Sequence, residues 1–395
     1  MTFAARVPDD LAPNPLAAAV ARARAAGRAI IDLTESNPTR AGFDYPPDLL
    51  APLAHPRGLA YAPDPLGLPV ARQAVADDFA RRGLAVPPDR IVLTAITRDG
   101  YSLLFKLLCA PGDQVLVPRP SYPLFEHLTR LDVVESVPYD LEYHGRWTID
   151  FAGLERAFTS RTRAVLLVSP NNPTGSVVSP LEIDRIAAIC GARNAAIVSD
   201  EVFADYALTP GATAGTGGLL TRADVPGFTL GGLSKSIGLP QLKLAWMAMS
   251  GTDAHVRSAR GRLDLIGDTY LSVSTPVQLA AAELLERGAS IRAQIQRRVA
   301  ANYATLRRRA SAVPACEAQH ADGGWYAVLR VPSLVSEEEL ALGLLEEDGV
   351  LVHPGYFFDF PSESFLILSL LAPEAAFSDG IARVLRRCGR VSPQP

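Results

Sequence analysis

Lysine is almost missing from this chain. Only Lys106, Lys235 and Lys243 occur in 395 residues, so 35 of the 38 basic residues are arginine. Cysteine is scarce as well. Cys109, Cys190, Cys316 and Cys388 lie far apart, with no CxxC or Cys/His spacing, which argues against a disulfide framework and against a metal centre. The six histidines are scattered and form no HxxxH pair. No apolar run reaches the roughly 18 residues that a bilayer span requires. The opening MTFAARVPDD lacks the apolar core of a secretion signal, so the expected location is a reducing cytoplasm. A net charge of −4 gives no reason to expect nucleic acid or an anionic membrane surface as partner.

The shortage of lysine gives meaning to the lysines that remain. Arginine stays protonated, whereas a lysine amine can lose its proton in the right surroundings and form a Schiff base. Two of the three lysines fall in one stretch, GGLSKSIGLPQLKLAW, residues 231–246. Lys106 sits in an apolar helical pattern, where its stem packs and its ammonium reaches solvent.

Short apolar runs alternate with helical patterns from about residue 66 onward. RIVLT (90–94), QVLVP (114–118), VVESVPY (133–139), AVLLVSP (164–170), AAIVSD (195–200), FTLGGL (228–233) and LAWMAMSG (244–251) read as strands. Apolar strands between helices predict an α/β fold whose mostly parallel seven-stranded sheet is covered on both faces. Residues 1–45 read as an N-terminal helix and arm, 46–285 as a large domain and 286–395 as a smaller α+β C-terminal domain. In such sheets ligands bind beyond the carboxyl ends of the strands.

Four polar signatures stand at those ends: Ser169-Pro170-Asn171-Asn172-Pro173-Thr174-Gly175, Ser199-Asp200-Glu201-Val202-Phe203, Leu233-Ser234-Lys235 and Pro120-Ser121-Tyr122. Asn172 and Asp200 are 28 residues apart, and Asp200 and Lys235 are 35 apart. In this order and spacing they resemble the class I/II aminotransferases, fold-type I enzymes dependent on pyridoxal 5′-phosphate, from about residue 35 to the end. The resemblance implies that Lys235 holds the cofactor as an internal aldimine and then moves the substrate proton. Asp200 would pair with the pyridinium nitrogen, Asn172 would donate to the phenolic oxygen, and Tyr122 would stack on the ring. Lys243, eight residues after Lys235, falls where most members place an arginine on the cofactor phosphate. Tyr61 matches a tyrosine that reaches the neighbouring subunit's phosphate, which implies a homodimer. The implied reaction moves an amino group between an amino donor and a keto acid, both small molecules.

The departures from the family pattern are as informative. The turn before residue 100, commonly small and hydroxyl- or glycine-rich, reads Ala95-Ile96-Thr97-Arg98-Asp99-Gly100. Thr97 and Arg98 are the phosphate candidates there. Gly232 replaces a frequent serine, and Phe203 replaces a tyrosine that donates to the phenolic oxygen. In Phe365-Leu366-Ile367-Leu368-Ser369, Ile367 occupies the place of the arginine that forks onto a substrate α-carboxylate. Arg40 and Arg119 are candidates to take over, with Asn37 beside Arg40 in the ESNPT arm. Alternatively the substrate presents something else, and Tyr356 in the aromatic run Gly355–Phe360 lines its pocket. These departures keep open a second reading, elimination, replacement or carbon–carbon bond formation on the same cofactor. A third reading is a non-catalytic binding protein of the same fold; the intact Lys235, Asp200 and Asn172 argue against it.

Overall fold

A computed structural model describes residues 3–8, 12–209 and 218–391. Fourteen strands are present among them. In chain order they are β1 (Ile31–Asp32), β2 (Ile91–Thr94), β3 (Gln114–Arg119), β4 (Glu135–Tyr143), β5 (Trp147–Ile149), β6 (Thr162–Val168), β7 (Ala196–Asp200), β8 (Gly227–Gly232), β9 (Ala245–Ser250), β10 (Glu317–Ala318), β11 (Tyr326–Arg330), β12 (Val350–Leu351), β13 (His353–Pro354) and β14 (Phe365–Ser369). The first four α-helices in chain order are α1 (Pro15–Ala25), α2 (Pro69–Arg81), α3 (Thr97–Leu108) and α4 (Phe125–Leu131).

The principal sheet has the order β2-β9-β8-β7-β6-β3-β4-β5. The pairs β8–β7, β7–β6, β6–β3 and β3–β4 are parallel, while β9 runs antiparallel to both of its neighbours. Every residue of β2, β8 and β9 is buried, because helices cover both faces and leave no position for alternating polarity. Seven of the eight strands are those expected from the apolar runs. The eighth, β5, is a three-residue antiparallel edge strand folded back on β4 through Tyr143↔Trp147, too short for its pattern to register as a strand.

A second, antiparallel sheet runs β10-β11-β14-β13. The N-terminal arm joins this part of the fold through β1, which pairs in parallel with β12. Ser369 Oγ at the end of β14 donates to the Glu35 carbonyl at 2.6 Å, fixing the arm residues 35–37 beside β11, whose Tyr326 is in register with Ser369.

The strand directions decide where the polar signatures gather. β2, β3, β6, β7 and β8 all end at one edge of the sheet, and the antiparallel β9 begins there, with Thr94↔Ala245 and Gly232↔Ala245 in register. Residues just after the first five strands and just before β9 therefore converge. Among the described residues no helix is long and apolar enough to cross a membrane.

Candidate active site

A cavity of about 290 Å³ opens at this edge, and Thr97, Arg98, Tyr122, Asn172, Asp200, Lys235 and Lys243 all line it. Each follows from the strand that precedes it, except Lys243, which precedes β9. The cavity is completed by Tyr326 of the small sheet and Ser36 of the arm.

Lys235 sits in the four-residue helix Leu233–Ser236 that follows β8 directly. A Cβ on Gly232 would lie 3.0 Å from Ala245 Cβ, so the serine common at that position in the family would need β9 to give by a few tenths of an ångström. Tyr206 donates its hydroxyl to the Lys235 carbonyl at 2.5 Å and pins the turn from below. The Lys235 Nζ lies 4.9 Å from the Trp325 ring centroid and 5.8 Å from that of Phe203. Desolvation among these rings, helped by the nearby Arg98 charge and opposed by Asp200, pulls the amine down to about 8.

Asp200 ends β7, beside the strand that carries Lys235. Its Oδ1 accepts from the Val202 N–H at 3.1 Å, and its Oδ2 accepts from the Tyr101 hydroxyl at 3.0 Å. Desolvation raises the carboxyl to about 6, against the lowering effect of both hydrogen bonds and of Lys235. A buried acid and a buried amine with opposite shifts in one cavity are the arrangement that acid–base chemistry needs.

Asn172 is 7% exposed, and its buried Oδ1 has no hydrogen-bond partner. Its neighbour Asn171 is fully engaged, donating to the Pro120 carbonyl and to Thr174 and accepting from Ser121. Lone buried amides are costly, so Asn172 fits a ligand with hydrogen-bonding groups. Arg98 Nη2 donates to the Tyr122 hydroxyl at 2.9 Å, holding the guanidinium over the mouth of the cavity. Thr97 and Arg98 form the first turn of α3, where free backbone N–H groups favour an anion. Lys243 adopts φ 54°, a left-handed conformation unusual for a side chain with Cβ, and it lines the same end of the cavity. The donor set therefore matches pyridoxal phosphate: an amine, a carboxylate, an unpaired amide and a cationic helix end.

Other residues singled out in the sequence lie elsewhere. Ile367 is fully buried within the small sheet, paired in register with Val328 and His353. Tyr356 is 41% exposed and donates its hydroxyl to Glu338 at 3.2 Å. Asn37 caps the turn Pro38–Arg40 through Thr39, and Arg40 is exposed; their neighbour Ser36 lines the cavity instead. Arg119 is committed to Asp140 at 2.7 Å and 3.1 Å, because the parallel register of β3 and β4 sets the two side by side. Tyr61 is 83% exposed and stands outside the cavity of its own chain. Lys106 pairs with Asp132 and Ser102 at the surface. Tyr101, Tyr326 and Trp325, which the sequence reading passed over, are brought to the site. A tyrosine on the buried face of the helical run YSLLFKLL, with Leu104 and Phe105, is the available signal for the first of them.

Residues 29–373 match the family model described as aminotransferase class I and II. The chain is 26% identical over 360 residues to glutamate-pyruvate aminotransferase AlaA of Haemophilus influenzae, covering 87% of each. It is 26% identical over 392 residues to an alanine aminotransferase of Mycobacterium tuberculosis, covering 95% of this chain and 88% of the relative. Among solved structures, an alanine aminotransferase from Pyrococcus furiosus has a similar fold, with a TM-score of 0.86 at 24% identity over 95% of this chain and 96% of that one. A Thermus thermophilus aspartate aminotransferase mutant gives 0.83 at 23% identity, over 99% of this chain and 100% of the other.

Proposed function

The chain belongs to the aminotransferase class I and II family, whose members depend on pyridoxal 5′-phosphate, and on that premise we propose that Lys235, Asp200 and Asn172 are the working residues of its site. The observation that carries this reading is the convergence of all three on one cavity. Bound there, the cofactor supplies a carbonyl that takes up amines and a ring that withdraws electrons.

The chain supplies the rest. The Lys235 amine, lowered to about 8 by burial, would act as general base and then as general acid for the substrate α-carbon proton. The Asp200 carboxylate holds the proton on the ring nitrogen. The Asn172 amide donates to the phenolic oxygen, and Tyr122 covers one face. The first turn of α3 with Thr97, Arg98 and Lys243 holds the phosphate. Val168, Phe203 and Tyr326 line the walls and exclude water.

Ile367 leaves the substrate end of this cavity without the guanidinium that its position carries elsewhere in the family. Ser36 and Tyr326 supply hydroxyls there, so substrate carboxylates are held by neutral donors and bound weakly. The names of the relatives make alanine and glutamate the first donors to try, with pyruvate as acceptor. The test is a single-turnover spectrum of the reconstituted protein. Conversion of the cofactor from its aldehyde to its amine form by a donor, reversed by a keto acid, supports transamination. Consumption of the donor with no amine form, or loss of its side chain as product, would instead favour elimination or replacement chemistry.

Two further expectations follow. Arg98→Ala removes a cation from the phosphate end and should raise the cofactor dissociation constant roughly tenfold, the usual weight of one charge-assisted contact; an unchanged constant by fluorescence titration would return Arg98 to the solvent. The second concerns assembly. Tyr61 and Tyr270, 83% and 56% exposed, line one surface recess, which suits a second copy that would place Tyr61 at its partner's phosphate. Light scattering should give twice the monomer mass, and a monomer at micromolar concentration would remove Tyr61 from the site.

A further inference from the structure

Tyr101 lies on α3, a helix that Gly100 allows to sit close on the sheet: a Cβ there would lie 3.3 Å from Leu230 Cδ2 of β8. The phenol is 3% exposed, and its ring packs edge-on against Phe125 at 5.5 Å and tilted against Phe105 at 6.2 Å. So enclosed, the hydroxyl donates to Asp200 Oδ2 at 3.0 Å. The other carboxylate oxygen is held by the Val202 N–H. The carboxylate is thus clamped at both oxygens, with its open side on the cavity.

We propose that Tyr101 is a positioning residue for Asp200, its buried hydroxyl keeping the carboxylate ionised and in one orientation so that it can accept a hydrogen bond from the protonated ring nitrogen. The inference rests on the assignment of Asp200 to the cofactor ring. The physical basis is that a hydrogen bond donated to the charged form favours that form, and a phenol this deeply buried does not ionise: desolvation and the adjacent carboxylate both push it far above its ordinary value. Tyr101 therefore remains a donor at every working pH. The titratable groups around Asp200 are Lys235 after β8, Arg98 and Tyr101 on α3, Lys243 before β9, Tyr122 after β3 and Tyr326 on β11. Of these Lys235 and Tyr101 act on it most directly, and both favour the ionised form.

Tyr101→Phe keeps the ring packing and removes the donor. The expected result in the apo protein is a rise of about one unit in the Asp200 pKa, read from the ¹³C carboxyl resonance that Asp200→Asn deletes. Cofactor binding then acquires a shifted pH profile. If only the ionised carboxylate binds, the variant should bind about fivefold more weakly than wild type near pH 6 and nearly equally near pH 8. A pH-independent loss would mean that the hydroxyl is merely structural, and an unmoved resonance would overturn the proposal outright. Wild-type protein that binds no pyridoxal phosphate, or binds it without Asp200, would instead remove the underlying assignment and leave the resonance shift standing.

Discussion

Lys235→Ala should yield a folded protein whose turnover is lower by up to about 10⁴-fold, the upper end of what one positioned acid–base group contributes. The same variant should lose the absorbance of lysine-bound cofactor while still binding it through the phosphate end. Both effects come from one amine. Surrounded by Trp325 and Phe203 and lowered from 10.5 to about 8, Lys235 carries at pH 7 roughly 300-fold more of the free amine than an ordinary lysine. The rate at which the apo protein captures pyridoxal phosphate should accordingly rise with pH and level off above about 8. A rate still climbing at pH 10 would show an unperturbed amine. Turnover that survives in Lys235→Ala would pass the role to Lys243, the other lysine on the cavity.

That these two lysines meet in one cavity was legible because each is tied to a strand. Lys235 follows β8, Lys243 precedes the antiparallel β9, and strand ends are where an apolar pattern stops and chemistry can begin. Asp200, Asn172, Tyr122, Thr97 and Arg98 were readable for the same reason. The residues that remained hidden are those placed by tertiary contact alone. Tyr101 belongs to an apolar helical face and looks like core; only the docking of α3 on β8 shows that its hydroxyl reaches Asp200, 99 residues away in sequence. Tyr326 opens β11 of the small sheet with Trp325 just before it, while Lys235 follows β8 of the large one, and no spacing connects them. Arg119 shows the opposite error. As a lone cation before the Pro120 turn it was a candidate for a substrate carboxylate, but the β3–β4 register delivers Asp140 to it. Register between strands is a long-range property, so a local reading had no access to that partner. The strand β5 escaped for a simpler reason: three residues do not make a period.

Asp200→Asn should be inactive and more stable at once. Asparagine cannot hold the proton on the ring nitrogen, and the expected loss in kcat/KM is about 10²–10⁴-fold, the range of one positioned proton-handling group. Stability moves the other way in the apo protein. The carboxyl is raised from 3.8 to about 6 by burial, so its protonated form is the one the fold prefers. Its contribution is fully favourable below pH 3.8 and is lost as pH rises through 6; above that the ionised carboxylate costs about 1–3 kcal/mol. Asparagine has no such charge to bury. Its carbonyl accepts from the Val202 N–H, and its amide donates to the Tyr101 oxygen; the phenol proton then loses its Asp200 acceptor, which offsets about 1 kcal/mol of the gain. The apo variant should thus melt about 1–2 °C above wild type at pH 8, with the gap closing towards pH 4. Cofactor reverses the order, because it stabilises wild type and binds the variant poorly. A variant that is both inactive and less stable at pH 8 would mean that asparagine disrupts the site, and its inactivity would then say nothing about charge. An active Asp200→Asn would remove the carboxylate from the mechanism. The stability given up at this position marks Asp200 as a residue held for its chemistry, because a fold selected for packing alone would not desolvate an acid there.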